Sequence, residues 1–380
     1  MRLERRLGQP RWLLVAVPVG SIAFAFVLMA IVLLATGHDP AATYRRLFDS
    51  AFFADGALTS TLVFATPIVF TGLAAAAAFR MQLYNIGGEG QFYLGAIAAV
   101  GIALYLGDLG VDSTTLNIAA MVAAGALAGA AWAAIPAILR AFAHTNEIIT
   151  SLMLNYVAGL LLTYLIIDSH SYWRDVESFE GQTFPLGKAI PEEAKWPSAT
   201  IGAAGGILVP LGFMLAIVVA FALWALYSRT RFGFELQVIG DSARTARFAG
   251  MRLRRKILAV MCISGGAAGL GGASFEGDFA YQIDPTGLQS SFYGYTGIVV
   301  AALARYNPIA VVPVGFFIGG LQNAGFTLQG ADFPAGLVGV MQGLILFCAL
   351  GGEVLVRYRV RFGRATRGPS PDDVAAEVAS

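Results

Sequence analysis

Runs of about twenty apolar residues recur along the whole length of this chain, and they exclude most folds open to a polypeptide. Inside hydrocarbon every backbone N–H and C=O must be paired within its own segment, so such runs become helices. Composition agrees: of 380 residues, 57% are hydrophobic and 13% charged, with a mean hydropathy of +0.68, which is about half the charge of a soluble domain. The pattern predicts an all-α polytopic membrane protein, a single transmembrane domain over 1–380. About ten helices are expected: Trp12 to Thr36, Ala57 to Phe79, Gly88 to Leu106, Leu116 to Leu139, Ile148 to Ile167, Ile207 to Tyr227, Ile257 to Ser274, Ser291 to Leu303, Ile309 to Ala324 and Pro334 to Val356. The eighth and ninth are short and joined by Arg305-Tyr306-Asn307-Pro308, so one of them is expected to be re-entrant or tilted. The first run is too long for a removed signal peptide and lacks its small-residue cleavage pattern.

Arg and Lys collect on the cytoplasmic side of membrane proteins. With the amino terminus inside, only Arg45, Arg46, Arg174, Lys188 and Lys195 of the 25 basic residues fall in outer segments. Both termini, including a tail over 357–380, are therefore expected in the cytoplasm. A net charge of +1 follows from this topology and gives no reason to expect nucleic acid. Cys262 and Cys348 lie in apolar runs, and His38, His144 and His170 show no ligand spacing, so neither a disulfide nor a metal site is expected. No cofactor is expected either. The Gly187-Lys188 pair lacks the glycine offset of a phosphate-binding loop. The chain is not expected to be an enzyme, and any ATP hydrolysis belongs to another chain.

One polar interruption stands out. Asn85-Ile86-Gly87-Gly88-Glu89-Gly90-Gln91 sets a carboxylate and two amides between apolar runs. Non-helical backbone at membrane depth survives only against protein or a water-filled cavity, which makes the segment a candidate pathway lining. A tight turn between helices is equally open, because Arg80 nearby can mark the membrane edge. Other polar side chains stand at Asn146 and Glu147, at Asn155 and Tyr156, at Gln322 and Asn323, and at Gln342. Intramembrane carboxylates are costly, so Glu89 and Glu147 need partners or water. Hydrogen bonding to a neighbouring helix is one reason for such residues, and contact with a solute is the other. Amides offer donor and acceptor together and suit a neutral, hydroxyl-rich solute.

Two loops exceed the other connections. The outer one, 168–206, carries Trp173, Trp196 and an excess of acids, placed either to receive an external partner or to rest on the membrane surface. The inner one, 228–256, has Asp241 or Ser242 as a helix N-cap and Gly250 as a stop. Ala243, Ala246 and Ala249 share one face at spacing three, and Arg244 and Arg247 another. Such a helix, parallel to the membrane, fits a partner's groove or binds lipid headgroups. Glycines four apart, Gly125 and Gly129, Gly265 and Gly269, Gly315 and Gly319, Gly339 and Gly343, predict close helix crossings. Phe92-Tyr93-Leu94-Gly95 is echoed by Phe292-Tyr293-Gly294 five helices later, which fits an inverted repeat.

In order and spacing, Asn85 to Gln91, then Thr145-Asn146-Glu147-Ile148-Ile149 with Met153-Leu154-Asn155-Tyr156, then Gly240 through Gly250 resemble the permease subunits of bacterial ABC importers for nucleosides and simple sugars. The resemblance runs along nearly the whole chain. It implies a location in the cell inner (plasma) membrane, a second permease subunit, similar or identical, an ABC ATPase subunit and an external solute-binding protein. It also implies that Asp241, Ser242, Ala243, Ala246, Ala249 and Gly250 belong to a coupling helix. Asn85, Glu89, Gln91, Asn146, Glu147 and Asn155 become candidate lining residues of a central pathway. The expected function is ATP-driven import of nucleosides, with simple sugars as the alternative cargo. The rival class is an ion-driven secondary transporter with Glu89 or Glu147 as proton carrier. A scaffold without cargo leaves those carboxylates unexplained.

Overall fold

The computed structural model describes residues 2–5, 13–202, 206–328 and 336–361. The rest of the predicted tail, the Trp12 and Pro334 ends of two predicted runs, and the side chain of Gln342 lie outside the described residues. Helices carry the fold: α1 (Leu13–Ala35), α2 (Pro40–Phe48), α3 (Ala57–Phe79), α4 (Gly88–Asp108), α5 (Thr114–Phe142), α6 (Glu147–Thr163), α7 (Phe179–Thr183) and α8 (Leu211–Arg229). They continue as α9 (Arg231–Asp241), α10 (Ala243–Phe248), α11 (Leu253–Phe275), α12 (Pro285–Ser291), α13 (Tyr293–Leu303), α14 (Pro308–Thr327) and α15 (Leu337–Arg357). The chain divides into two compact units, Met1–Ile31 with Gly343–Ser380, and Val32–Gln342. In the first, Arg2–Arg5 pairs antiparallel with Tyr358–Arg361, and Ser21 lies against Gly352.

Among the described residues, 7 helical stretches are long and apolar enough to cross a membrane: Ala57–Phe79, Gly88–Asp108, Thr114–Phe142, Glu147–Asp168, Leu211–Arg229, Leu253–Ala280 and Pro308–Thr327. Each overlaps a predicted run, because an apolar run of this length has one form that pairs its backbone internally. Two predicted runs come out differently. Ile207–Pro210 is a strand paired antiparallel with Ser198–Ile201, so the chain is not purely helical and α8 begins only after Pro210. The proline ring cannot donate into a helix behind it, and the β-branched Ile207 and Val209 suit a strand. The run from Ser291 to Leu303 is broken at Phe292, which takes a left-handed conformation (φ 51°) between α12 and α13. The 11 residues of α13 extend about 17 Å, roughly half the hydrocarbon thickness.

The larger unit is organised on α3, in which every residue from Ala65 to Phe79 is buried. Close approach of its neighbours rests on the predicted glycines. Gly125 and Gly129 of α5 meet Gly269 and Gly265 of α11, so closely that a methyl group at any of the four would overlap the facing helix. Gly315 and Gly319 of α14 seat on Val69 and Ala65 of α3. At Gly339 and Gly343, by contrast, no atom of the described residues comes within 4 Å of where a methyl group would sit.

Candidate functional site

The Asn85 to Gln91 segment is at once a connection between helices and a buried one. After α3, Gln82 turns left-handed (φ 56°) and the chain stays irregular until α4 starts at Gly88. Asn85 is buried, and its amide forms a reciprocal pair with that of Gln91: Asn85 Nδ2 donates to Gln91 Oε1 at 2.9 Å, and Gln91 Nε2 donates to Asn85 Oδ1 at 3.0 Å. Asn85 Nδ2 also donates to Ser264 Oγ of α11 (2.9 Å), which passes its own proton to the Ala74 carbonyl of α3 (2.7 Å). Asn155 of α6 closes the other side. Its Oδ1 accepts from the Gly90 N–H at 2.9 Å, and its Nδ2 donates to the Ile86 carbonyl at 2.8 Å and to the Tyr295 hydroxyl oxygen at 3.2 Å.

Glu89 completes the cluster. Only 2% exposed, it accepts from the Tyr93 hydroxyl (2.8 Å) and from the backbone N–H groups of Gly294 (2.6 Å) and Tyr295 (3.3 Å). Four of the predicted residues, Asn85, Glu89, Gln91 and Asn155, thus share one network, and each of their side-chain N and O atoms has a protein partner. This meets the demand of burial, since an unpaired buried polar group costs about 1–3 kcal/mol. The other two stand apart. Asn146 is exposed and caps α6, its Oδ1 accepting from the Ile148 N–H at 2.9 Å. Glu147 is buried and ion-paired with Arg140 at 3.2 Å. Sequence reasoning missed Tyr93, Ser151, Ser264 and Tyr295, of which Ser151 receives the Ile86 N–H at 3.2 Å. The one available signal was the echo at Phe92 and Phe292, because the rings of Phe92 and Tyr293 lie 5.6 Å apart.

In the inner loop, Ser242 is the cap of α10, its Oγ accepting from the Thr245 N–H at 3.2 Å, and Gly250 ends the segment at φ 76°. The three alanines do not form one face. Ala246 is fully buried while Ala243 and Ala249 are exposed, because a spacing of three falls short of a helical turn and the stripe drifts round the axis. Beside those two alanines the outward surface carries Arg244, Arg247 and Phe248, the last 83% exposed. Upstream, α9 is fixed to the start of α11 by the Glu235–Lys256 ion pair at 2.5 Å.

The outer loop is folded onto the helices. Trp173 Nε1 donates to the Ile97 carbonyl at 2.9 Å, and Trp196 is buried against Gly277. Hydrogen bonds from the Ser178 hydroxyl and N–H hold the Asp175 carboxyl below its ordinary range. Backbone bonds lace the loop to the chain beyond α11: Gly187 N–H to Ile283 O (2.8 Å), Ile190 N–H to Tyr281 O (2.8 Å) and Trp196 N–H to Gly277 O (2.9 Å). Next to this laced segment is a cavity of about 840 Å³ walled by Phe64, Phe275, Phe279, Phe292, Tyr293 and Phe326. The rings form a continuous series, Phe326 to Phe64 (5.7 Å), Phe64 to Phe279 (5.9 Å), Phe279 to Phe275 (5.7 Å) and Phe275 to Tyr293 (5.5 Å). It reaches Tyr293, whose neighbour Gly294 is held by Glu89.

Residues 57–350 match the family described as the branched-chain amino acid transport system / permease component, and the chain belongs to that family. It is a transmembrane permease subunit of an ABC importer, a multi-pass protein of the inner membrane and a transporter component rather than an enzyme. The chain is 32% identical to a glucose ABC transporter permease protein of Haloferax volcanii, over 97% of this chain and 95% of that one. It is 29% identical to a nucleoside ABC transporter permease protein of Lactococcus lactis (88% of this chain, 90% of that one). It is 28% identical to a guanosine ABC transporter permease protein of Bacillus subtilis (91% and 94%). No solved structure matches the chain.

Proposed function

We propose that this subunit forms part of a translocation pathway for nucleosides and draws its energy from a separate ABC ATPase. A second permease, similar or identical, stands beside it, and an external solute-binding protein delivers the cargo. The observation that carries the cargo assignment is similarity to the nucleoside and guanosine permeases over 88% and 91% of this chain. Simple sugars are the second reading, favoured by the 32% identity to the glucose permease.

In this reading the chain is one transmembrane domain of about ten spans with both termini cytoplasmic, supported by the one-sided distribution of Arg and Lys. Contact between Phe92 and Tyr293 supports the inverted repeat. Loop 168–206 faces the binding protein. Loop 228–256 meets the ATPase through α10, and the tail over 357–380 is cytoplasmic. Asn85, Glu89, Gln91 and Asn155 serve as a fixed wall of the pathway, with their polar atoms spent on holding α4, α6, α11 and α13 in register. Asn146 and Glu147 shape the start of α6 at its inner mouth.

The test is ATP-dependent uptake into proteoliposomes holding both permeases, the ATPase and the binding protein, with labelled guanosine and labelled glucose compared. Guanosine uptake that disappears when the ATPase is left out is the expected result. Uptake by this chain alone would overturn the reading, and uptake of glucose only would replace it with the second one.

A further inference from the structure

We propose that the aromatic cavity is a binding station for the heteroaromatic ring of the cargo, with Gln322 as the group that reads an N–H on that ring. The inference rests on the nucleoside reading above and names the part of the solute that is recognised.

Gln322 carries the argument. Its Nε2 is spent on the Ser291 carbonyl at 3.1 Å, while its Oε1 is buried and has no hydrogen-bond partner among the described residues. A buried acceptor left unpaired is costly, and Gln322 lines the cavity, so a ring N–H that reaches this oxygen by displacing the atoms that cover it removes that cost. Its neighbour Asn323 differs: that amide reaches Thr61 Oγ1 (3.1 Å) and the Ser50 carbonyl (3.3 Å), and so is used up inside the protein.

The rest of the lining suits a flat ring. Phe279, Phe292 and Phe326 line the cavity and are 44%, 56% and 64% exposed, so these rings keep large areas uncovered. Stacking on such rings is indifferent to which base is present, and selection therefore falls to the acceptor. Hydroxyls of an attached pentose can be met by Gln282 and Ser290, which also line the cavity. The volume of about 840 Å³ lies within the range of about 300–1,000 Å³ usual for small-molecule sites. A sugar alone can lay only its C–H face on this wall and has no ring N–H for Gln322 to read.

The test uses the full complex with its binding protein in proteoliposomes and compares guanosine with an N1-methyl analogue that lacks the ring N–H. Phe326→Ala is expected to raise KM for guanosine about tenfold, and Gln322→Leu to erase the wild-type preference for guanosine over the analogue. Affinity of the external binding protein for guanosine, a property of a separate chain, is the control and is expected to stay unchanged. If the wild type imports nucleosides but neither variant changes KM or preference, this inference falls while the proposed function stands. If the wild type imports only glucose, both fall. Should a variant fail to assemble, photo-crosslinking of an azidopurine nucleoside to the wild-type complex decides. Label on 275–293 or 322–326 supports the station. Label elsewhere, or a co-purified lipid in this cavity that nucleoside does not displace, overturns it.

Discussion

Glu89 shows what a buried carboxylate is for when no cation among the described residues pairs with it. Its two oxygens satisfy a hydroxyl of its own helix and two N–H groups at the start of α13, so it fixes the turn in which Phe292 is left-handed. Glu89→Leu keeps roughly the volume but leaves the Gly294 and Tyr295 N–H groups and the Tyr93 hydroxyl without their acceptor. The expected cost is about 1–3 kcal/mol, read as a lower unfolding temperature of the subunit in nanodiscs. An unchanged temperature would show that the three bonds are not holding the turn. The motif itself was legible, because Asn85, Glu89 and Gln91 are polar residues where apolar ones are expected. Its partners were not: Ser264 is 179 positions from Asn85, and Gly294 is 205 from Glu89. Nothing local in a serine or a glycine announces such a role.

Helices meet in this protein where side chains are missing. Gly265→Leu is expected to force α5 and α11 apart at a cost of about 1–3 kcal/mol or more, measured as a fall in unfolding temperature and loss of monodisperse protein. Gly339→Ala, whose methyl group meets no atom of the described residues within 4 Å, is expected to change neither. The glycine spacing was readable along the chain. Which two pairs face each other was not, since a spacing of four fixes a helix face but not its neighbour. The short α10 teaches the same lesson differently. Its cap and stop were legible as Ser242 and Gly250, yet the alanine stripe was read as one surface although it winds. Ala246→Glu is therefore expected to bury a charge and lower the yield of folded protein. Phe248→Glu is expected to leave folding intact and to cut ATP-driven uptake, with binding of radiolabelled cargo by the external protein as the control.

At the scale of the whole molecule, the membrane topology rests on charge. In a variant with Cys262 and Cys348 replaced, Phe184→Cys is expected to react with a membrane-impermeant maleimide in intact cells, and Arg244→Cys only after permeabilisation. Equal reactivity before permeabilisation would reverse or break the assignment. Apolar runs were legible because the bilayer dictates their length. The break at Phe292 and the hairpin of Ser198–Ile201 with Ile207–Pro210 were not, because both depend on local backbone choices inside runs that read as uniformly apolar. The lacing of the outer loop to Gly277, Tyr281 and Ile283 has a mechanical outcome. Rim and chamber share a seam, so neither can swing open without tearing stitches that belong to the other. The amides of Gly187, Ile190 and Trp196 should therefore trade their protons for deuterium in step, slowing together whenever the chamber is filled.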